Sequence, residues 1–156
     1  MKKSTLFILI AIFAFTYSCK KDSKIAEIIN PTASMKCKIN GSSWSALTRV
    51  TTKQGNTFLI NGTVGSDILN ITVLGIATGT YNLTTYMPVQ TQFSANYTNN
   101  TNSTDSLYTA YEGTVTLTSV DTSSKKISGT YTFKAKNLLL ITKSITEGTF
   151  TNLVYQ

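Results

Sequence analysis

Histidine is absent from the 156 residues, and arginine occurs once, at Arg49. Without histidine there is no Ser-His-Asp triad, no Cys-His pair and no imidazole-held metal. Two cysteines, Cys19 and Cys37, are too few for a thiolate zinc cluster. Acidic residues number only seven, and in the body of the chain they are Asp67, Asp105, Glu112, Asp121 and Glu147. Glycoside hydrolysis needs two facing carboxylates. Glu112 and Glu147 each precede a Gly-Thr unit and are the one pair at comparable positions, but charges at strand ends ordinarily serve solubility. No P-loop, dinucleotide fingerprint or Asp-rich calcium loop is present. The chain reads as a non-enzyme without a cofactor. Its net charge is +7, yet one arginine and no recognition-helix pattern argue against a nucleic-acid partner.

Long apolar runs are also missing. Residues 6–15, LFILIAIFAF, form a ten-residue apolar segment behind Lys2 and Lys3. A spanning helix needs roughly 20 apolar residues, so this segment fits a secretory signal instead. It ends at Thr16-Tyr17-Ser18-Cys19. A small residue directly before a cysteine resembles the lipobox of bacterial lipoproteins, in which the cysteine is acylated and becomes the new N-terminus. Thr16 and Tyr17 depart from the usual lipobox, in a way similar to the degenerate lipoboxes of Bacteroidota lipoproteins. The resemblance implies a signal peptide over 1–18 and a lipid anchor on Cys19. Ordinary signal cleavage and a retained anchor are the alternatives. Acylation would take Cys19 out of any disulfide with Cys37. In MKCKI, Cys37 shares a face with Met35 and Ile39, which reads as a small buried hydrophobe.

Residues 20–34 lack strand alternation and contain Pro31, so 19–34 read as the lipidated cysteine and a tether. Fifteen such residues reach at most about 50 Å. CKKDS resembles the charged tags that send Bacteroidota lipoproteins to the cell surface, although Asp22 is its single acid. The implied location is the outer membrane, on its periplasmic or its surface face. Without Lys2 and Lys3 the chain keeps 12 basic and 7 acidic residues, a net +5.

What the chain does have is threonine, 28 residues of it, with eight tyrosines, seven phenylalanines and only two prolines. That composition favours strands. From residue 35 a period of two dominates. The clearest case is KISGTYTFKAKN, where Ile127, Gly129, Tyr131, Phe133 and Ala135 face one way. With Val115 and Leu117 before it and DTSSKK between, this predicts a hairpin. Further strands are expected near 35–40, 44–52, 57–64, 68–75, 79–84, 90–97, 107–111, 138–143 and 145–154. The expected fold is a single all-β domain over 35–156, an antiparallel β-sandwich or flattened barrel of about 8–10 strands, rich in meanders. Gly-Thr followed by Val, Tyr or Phe recurs at 62–64, 79–81, 113–115, 129–131 and 148–150. Glycine at such points permits a bulge, a bend or the close approach of an aromatic.

Residues 95–106, ANYTNNTNSTDS, read as an exposed loop. Within it Asp105-Ser106-Leu107 resembles the O-glycosylation site of exported Bacteroidota proteins, which makes Ser106 a candidate modified residue. Tyr86, Phe93, Tyr97, Tyr108 and Tyr111 cluster near the loop in sequence. Tyr97, Tyr108 and Tyr111, with Lys134 and Lys136, are the candidate binding surface for a glycan or an envelope protein. Core packing of the aromatics and edge protection by the lysines, Lys125, Lys126 and Lys143 included, are the competing readings. Trp44 is expected to plug one end of the core.

KINGSSWSAL (38–47), GIATGTYNL (75–83), residues 112–135 and ITEGTFTNLVY (145–155) together resemble an uncharacterised family of small Bacteroidota lipoproteins. Members of that family of domains of unknown function typically open with N-G-x-x-W-x-A. They typically end with a glycine, Ser/Thr-Phe and a final aromatic. The resemblance implies an all-β exported domain and brings no catalytic residue. Two roles compete: a membrane-anchored, non-catalytic binding or structural module, and a lipocalin- or avidin-like barrel holding a small apolar ligand. They differ in the interior, which is filled in the first and hollow in the second. Bulky inward sets such as Phe58, Ile60 and Val64, or Leu69, Ile71 and Val73, favour a filled one.

Overall fold

The computed structural model describes residues 33–83, 92–99 and 103–156. The signal segment, Cys19 and all but the last two tether residues lie outside them, as does Tyr86. The strands are β1 (Ser34–Ile39), β2 (Ser42–Ser45), β3 (Thr48–Gln54), β4 (Thr57–Val64), β5 (Asp67–Val73), β6 (Gly79–Leu83), β7 (Phe93–Thr98), β8 (Leu107–Asp121), β9 (Lys126–Lys136) and β10 (Thr142–Val154), with a 3-10 turn at Thr104–Ser106. All ten join one antiparallel sheet, curled into a half-barrel. The flattened-barrel form of the sequence expectation is therefore the one present.

The strand order is β2-β1-β10-β9-β8-β7-β5-β4-β3, and β6 pairs with the second half of β8. Tight turns set the registers. Asn40 and Gly41 both adopt positive φ, +50° and +82°, as a type I′ hairpin turn requires. Gly55 and Gly65, also at positive φ, open the two-residue turns on either side of β4. The DTSSKK turn is held by Asp121, whose Oδ1 accepts from the Ser123 and Ser124 amides, both at 2.9 Å. The Ser124 hydroxyl, with these amides, holds that carboxyl below the usual carboxylate range.

The segment expected as one strand over 44–52 is two. Ala46 and Leu47 carry the chain from β2, at one edge of the sheet, to β3, at the other. The Ala46 amide donates to the Met35 carbonyl at 2.9 Å and the Leu47 amide to Thr63 at 2.8 Å. The end of the chain closes the same seam: the Gln156 amide donates to Thr51, and the Lys53 amide to the Gln156 carbonyl. Tyr155 is buried there, its ring 5.1 Å from that of Phe58.

Alternation fills the interior as the sequence predicts. Ile127, Gly129, Tyr131, Phe133 and Ala135 all face in, as do Met35, Cys37 and Ile39. In β10 the inward residues are Ile145, Gly148, Phe150 and Leu153, and Tyr155 follows just past its end. Their uneven spacing follows from two bulges, at Glu147 and Asn152, where φ is +52° and +48°. Two glycines of the Gly-Thr repeat, Gly129 and Gly148, are seats for aromatic rings. Phe150 lies against Gly129, its cross-strand partner, and Tyr131 against Gly148. Tyr131 in turn stacks on both Phe150 and Phe133, with ring centroids 6.2 and 6.3 Å apart.

A methyl group at either glycine would collide with its ring and with the neighbouring backbone. Gly148→Ala and Gly129→Ala should each lower unfolding stability by about 1–3 kcal/mol, the usual cost of overpacking. Urea unfolding measures this. An alanine at exposed Gly41 would instead act through its φ of +82° alone.

Candidate interaction surface

The structure divides the candidate residues between core and surface. Tyr97 and Tyr108 are buried neighbours, paired across β7 and β8 with ring centroids 6.1 Å apart. The Tyr97 hydroxyl donates to Asp67 Oδ2 at 3.0 Å, and burial first, then Asp67, raises its pKa. Phe93 is also buried, in line with Ala95 and Tyr97. Tyr111 is half-buried, and Lys134 and Lys136 are exposed. Of the candidate binding surface, then, Tyr111 and the two lysines face outward, while Tyr97 and Tyr108 form part of the core.

Ser106 does not lie on an open loop. It ends the 3-10 turn, is buried, and its hydroxyl donates to the Ser103 carbonyl. The loop is also shorter than 95–106, because residues through Thr98 belong to β7.

Glu112 is paired with Lys134 at 2.7 Å and Glu147 with Lys38 at 2.8 Å. The Glu112 carboxylate holds the Lys134 ammonium above its ordinary pKa. Each ion pair is exposed, where such pairs contribute little to stability. Among the described residues no group of His, Cys, Asp and Glu could hold a metal ion. Beside Glu147, the residues Lys36, Lys38, Ser43, Ser45 and Thr149, with Cys37 and Trp44, line a shallow groove of about 370 Å³. Thr114, Thr130, Thr132 and Thr149 line a second, of about 500 Å³.

The opposite chemistry appears at the β9–β10 connection. Residues 138–143 were expected to form a strand, but 138–141 are a turn. Asn137 makes it. Its side-chain Oδ1 accepts from the Ile141 amide at 2.9 Å, and its carbonyl accepts from Leu140 at 3.0 Å. Its Nδ2 reaches the Asp105 carbonyl at 2.7 Å. Leu140 sits at φ +62°, outside the strand region. Four apolar residues in succession have no polar alternation to guide them into a sheet, and Asn137 supplies a competing set of bonds. Beside the turn, Lys136 Nζ lies 5.2 Å from the Tyr111 ring centroid and Lys143 Nζ 5.4 Å from that of Tyr108. Composition gave no warning of this arrangement; the signal in the sequence was the run LLLI itself, behind an asparagine.

The interior is occupied. Phe58, Phe93, Phe150, Met35 and several aliphatic side chains are fully buried. Trp44 lies over Gly62 beside Met35 and Ala46. The family pattern N-G-x-x-W-x-A thus describes a hairpin turn, the tryptophan set over Gly62 and the residue that crosses between the sheet edges. A model of a domain of unknown function, DUF6252, matches residues 31–154. The chain belongs to the DUF6252 family. No curated protein and no solved structure matches it significantly.

Cys37 is free and buried, beside the Tyr131 hydroxyl, which donates to the Lys36 carbonyl at 3.2 Å. Burial pushes the thiol up from 9.0 to about 11, against a smaller opposing effect of the Tyr131 hydrogen bond. Thiolate is the reactive form. At pH 8 the shift alone should slow maleimide labelling of Cys37 about a hundredfold relative to the urea-unfolded chain, as read peptide by peptide in a mass spectrometer. The sign for stability follows. A raised folded pKa means a contribution that is whole below pH 9.0 and disappears as pH rises towards about 11. Tyr131, raised by burial first and by Cys37 second, extends that loss to higher pH.

Proposed function

We propose that this DUF6252 domain is a lipid-anchored, non-catalytic module of the bacterial cell envelope that presents its outer faces to a glycan or an envelope protein. The observation that carries the reading is the leader: Lys2 and Lys3, ten apolar residues, then Ser18-Cys19. A secretory signal followed by an acylated cysteine is the chemistry this order of residues suits. Two or three acyl chains anchor stably where one does not, since each buried methylene contributes about 0.8 kcal/mol. The resemblance to Bacteroidota lipoproteins supports an outer-membrane location, on the periplasmic or the surface face.

The fold supports a carrier of surfaces rather than of a cavity. Large side chains fill the curl, which favours the packed module over a barrel holding an apolar ligand. The paired states of Glu112 and Glu147 support the non-catalytic part of the reading. The threonine-lined grooves on the outer face offer hydroxyls to a partner's hydroxyls or amides.

Intact-mass analysis of protein extracted from membranes tests the anchor. The expected species lacks residues 1–18 and carries two or three acyl chains on Cys19. An unmodified Cys19 on soluble periplasmic protein would overturn it. The same spectrum should show no glycan on Ser106, given the burial of its hydroxyl.

A further inference from the structure

The 138–141 turn is the anomaly of this surface. Leu138, Leu139, Leu140 and Ile141 are 82%, 61%, 72% and 52% exposed, four large apolar side chains in a row. Single exposed leucines are ordinary; a contiguous cluster on a protruding turn marks an interaction site. Leu107, 48% exposed, extends the apolar surface along a groove of about 410 Å³ that also takes in Tyr111 and Lys136. The turn is built, not frayed. Asn137 is buried and holds it with hydrogen bonds to Ile141, Leu140 and Asp105. Leu140 keeps a φ of +62°, which glycine or asparagine would adopt at lower cost.

The surroundings fix the kind of partner. Lys136 and Lys143 stand at the base of the turn, each with its ammonium near a tyrosine ring. Lys134, two residues before Lys136, is neutralised by Glu112, and Asp105 meets the turn through its backbone carbonyl, which accepts from Asn137. An apolar tip above a collar of two lysines and the half-buried Tyr111 matches the layering of a bilayer surface. Acyl chains take the leucines, and headgroups take the cations and the Tyr111 ring. We propose that the 138–141 turn inserts into a lipid interface, with Lys136 and Lys143 at the level of anionic headgroups.

The chain outside the described residues permits this. β1 begins at Ser34, opposite Thr151, while the turn precedes Thr142 at the other end of β10. Nine strand residues separate the two ends by about 30 Å. A tether over 20–34 spans up to about 50 Å, so a domain anchored at Cys19 can fold back and place the turn in the same leaflet. That geometry rests on the anchored reading; insertion of the turn does not.

The test uses the full chain carrying Leu139→Trp, mixed with vesicles of phosphatidylcholine and phosphatidylglycerol with brominated acyl chains. Native Trp44 is buried and gives the background. The introduced indole should shift to the blue, and bromolipid should quench it at least about twofold more than the native chain. Leu138→Trp should behave alike, and Lys136→Gln with Lys143→Gln should weaken the effect in anionic vesicles. Emission unmoved by lipid and still quenched by aqueous iodide overturns the proposal. So does a blue shift without lipid that grows with protein concentration, because the turn then packs on a second copy. Either failure is separable from failure of the anchor, which the mass of Cys19 alone decides.

Discussion

Two residues, Ala46 and Leu47, connect the two outermost strands of the sheet, and the rest of the architecture follows from that short link. Laid flat, the eight gaps between nine successive strands would put those edges about 38 Å apart. Two linking residues reach about 10 Å. The sheet must therefore curl until β2 and β3 are near one another. The curl brings the C-terminus alongside β3, where Gln156 exchanges backbone bonds with Thr51 and Lys53. An edge that would otherwise invite pairing with another chain is covered by Tyr155 and Gln156.

A curl this tight leaves room inside for side chains and little else. The aromatic column of Phe133, Tyr131 and Phe150 occupies it, seated on glycines of neighbouring strands. Each glycine lets a ring lie flat against the backbone, so the strands are held by stacking as well as by their ladders. With the interior committed to packing, interaction with other molecules is left to the outside. There the surface is of two kinds: threonine and lysine hydroxyls and ammoniums over β8 to β10, and an apolar turn at one end.

Much of this was legible in the sequence. The alternation at 127–135 and 35–39 identified the inward faces, because each of those strands keeps an unbroken period of two. The Gly-Thr repeat left a bulge, a bend or close aromatic approach open, and the last is present at Gly129 and Gly148. The failures have physical causes. Residues 44–52 alternate across Ala46 and Leu47, so periodicity alone hid the crossing between sheet edges. In β10 two bulges change the spacing of the inward residues, which no period of two describes. At 138–143 apolar composition suggested a strand, and the side chain of Asn137 and the φ of Leu140 decided otherwise. Tyr97 and Tyr108 were surface candidates with core packing as the competing reading; they face inward with Ala95, and their pairing across β7 and β8 is a contact that only the strand order reveals. The polar sequence around Ser106 likewise concealed a turn folded back on Ser103.

Closure of the curl along β3 and β4, by the Ala46–Leu47 link and by Gln156, is the claim on which the account turns. Amide hydrogen exchange of the full chain, followed by NMR, tests it at Leu47, Lys53 and Gln156, whose N–H groups make the seam bonds. If the seam is closed, these three amides are protected to the same degree as the paired amides of β4 and open with them. If they exchange at the rate of an unstructured chain while β4 stays protected, the sheet is open at that edge and the account is wrong.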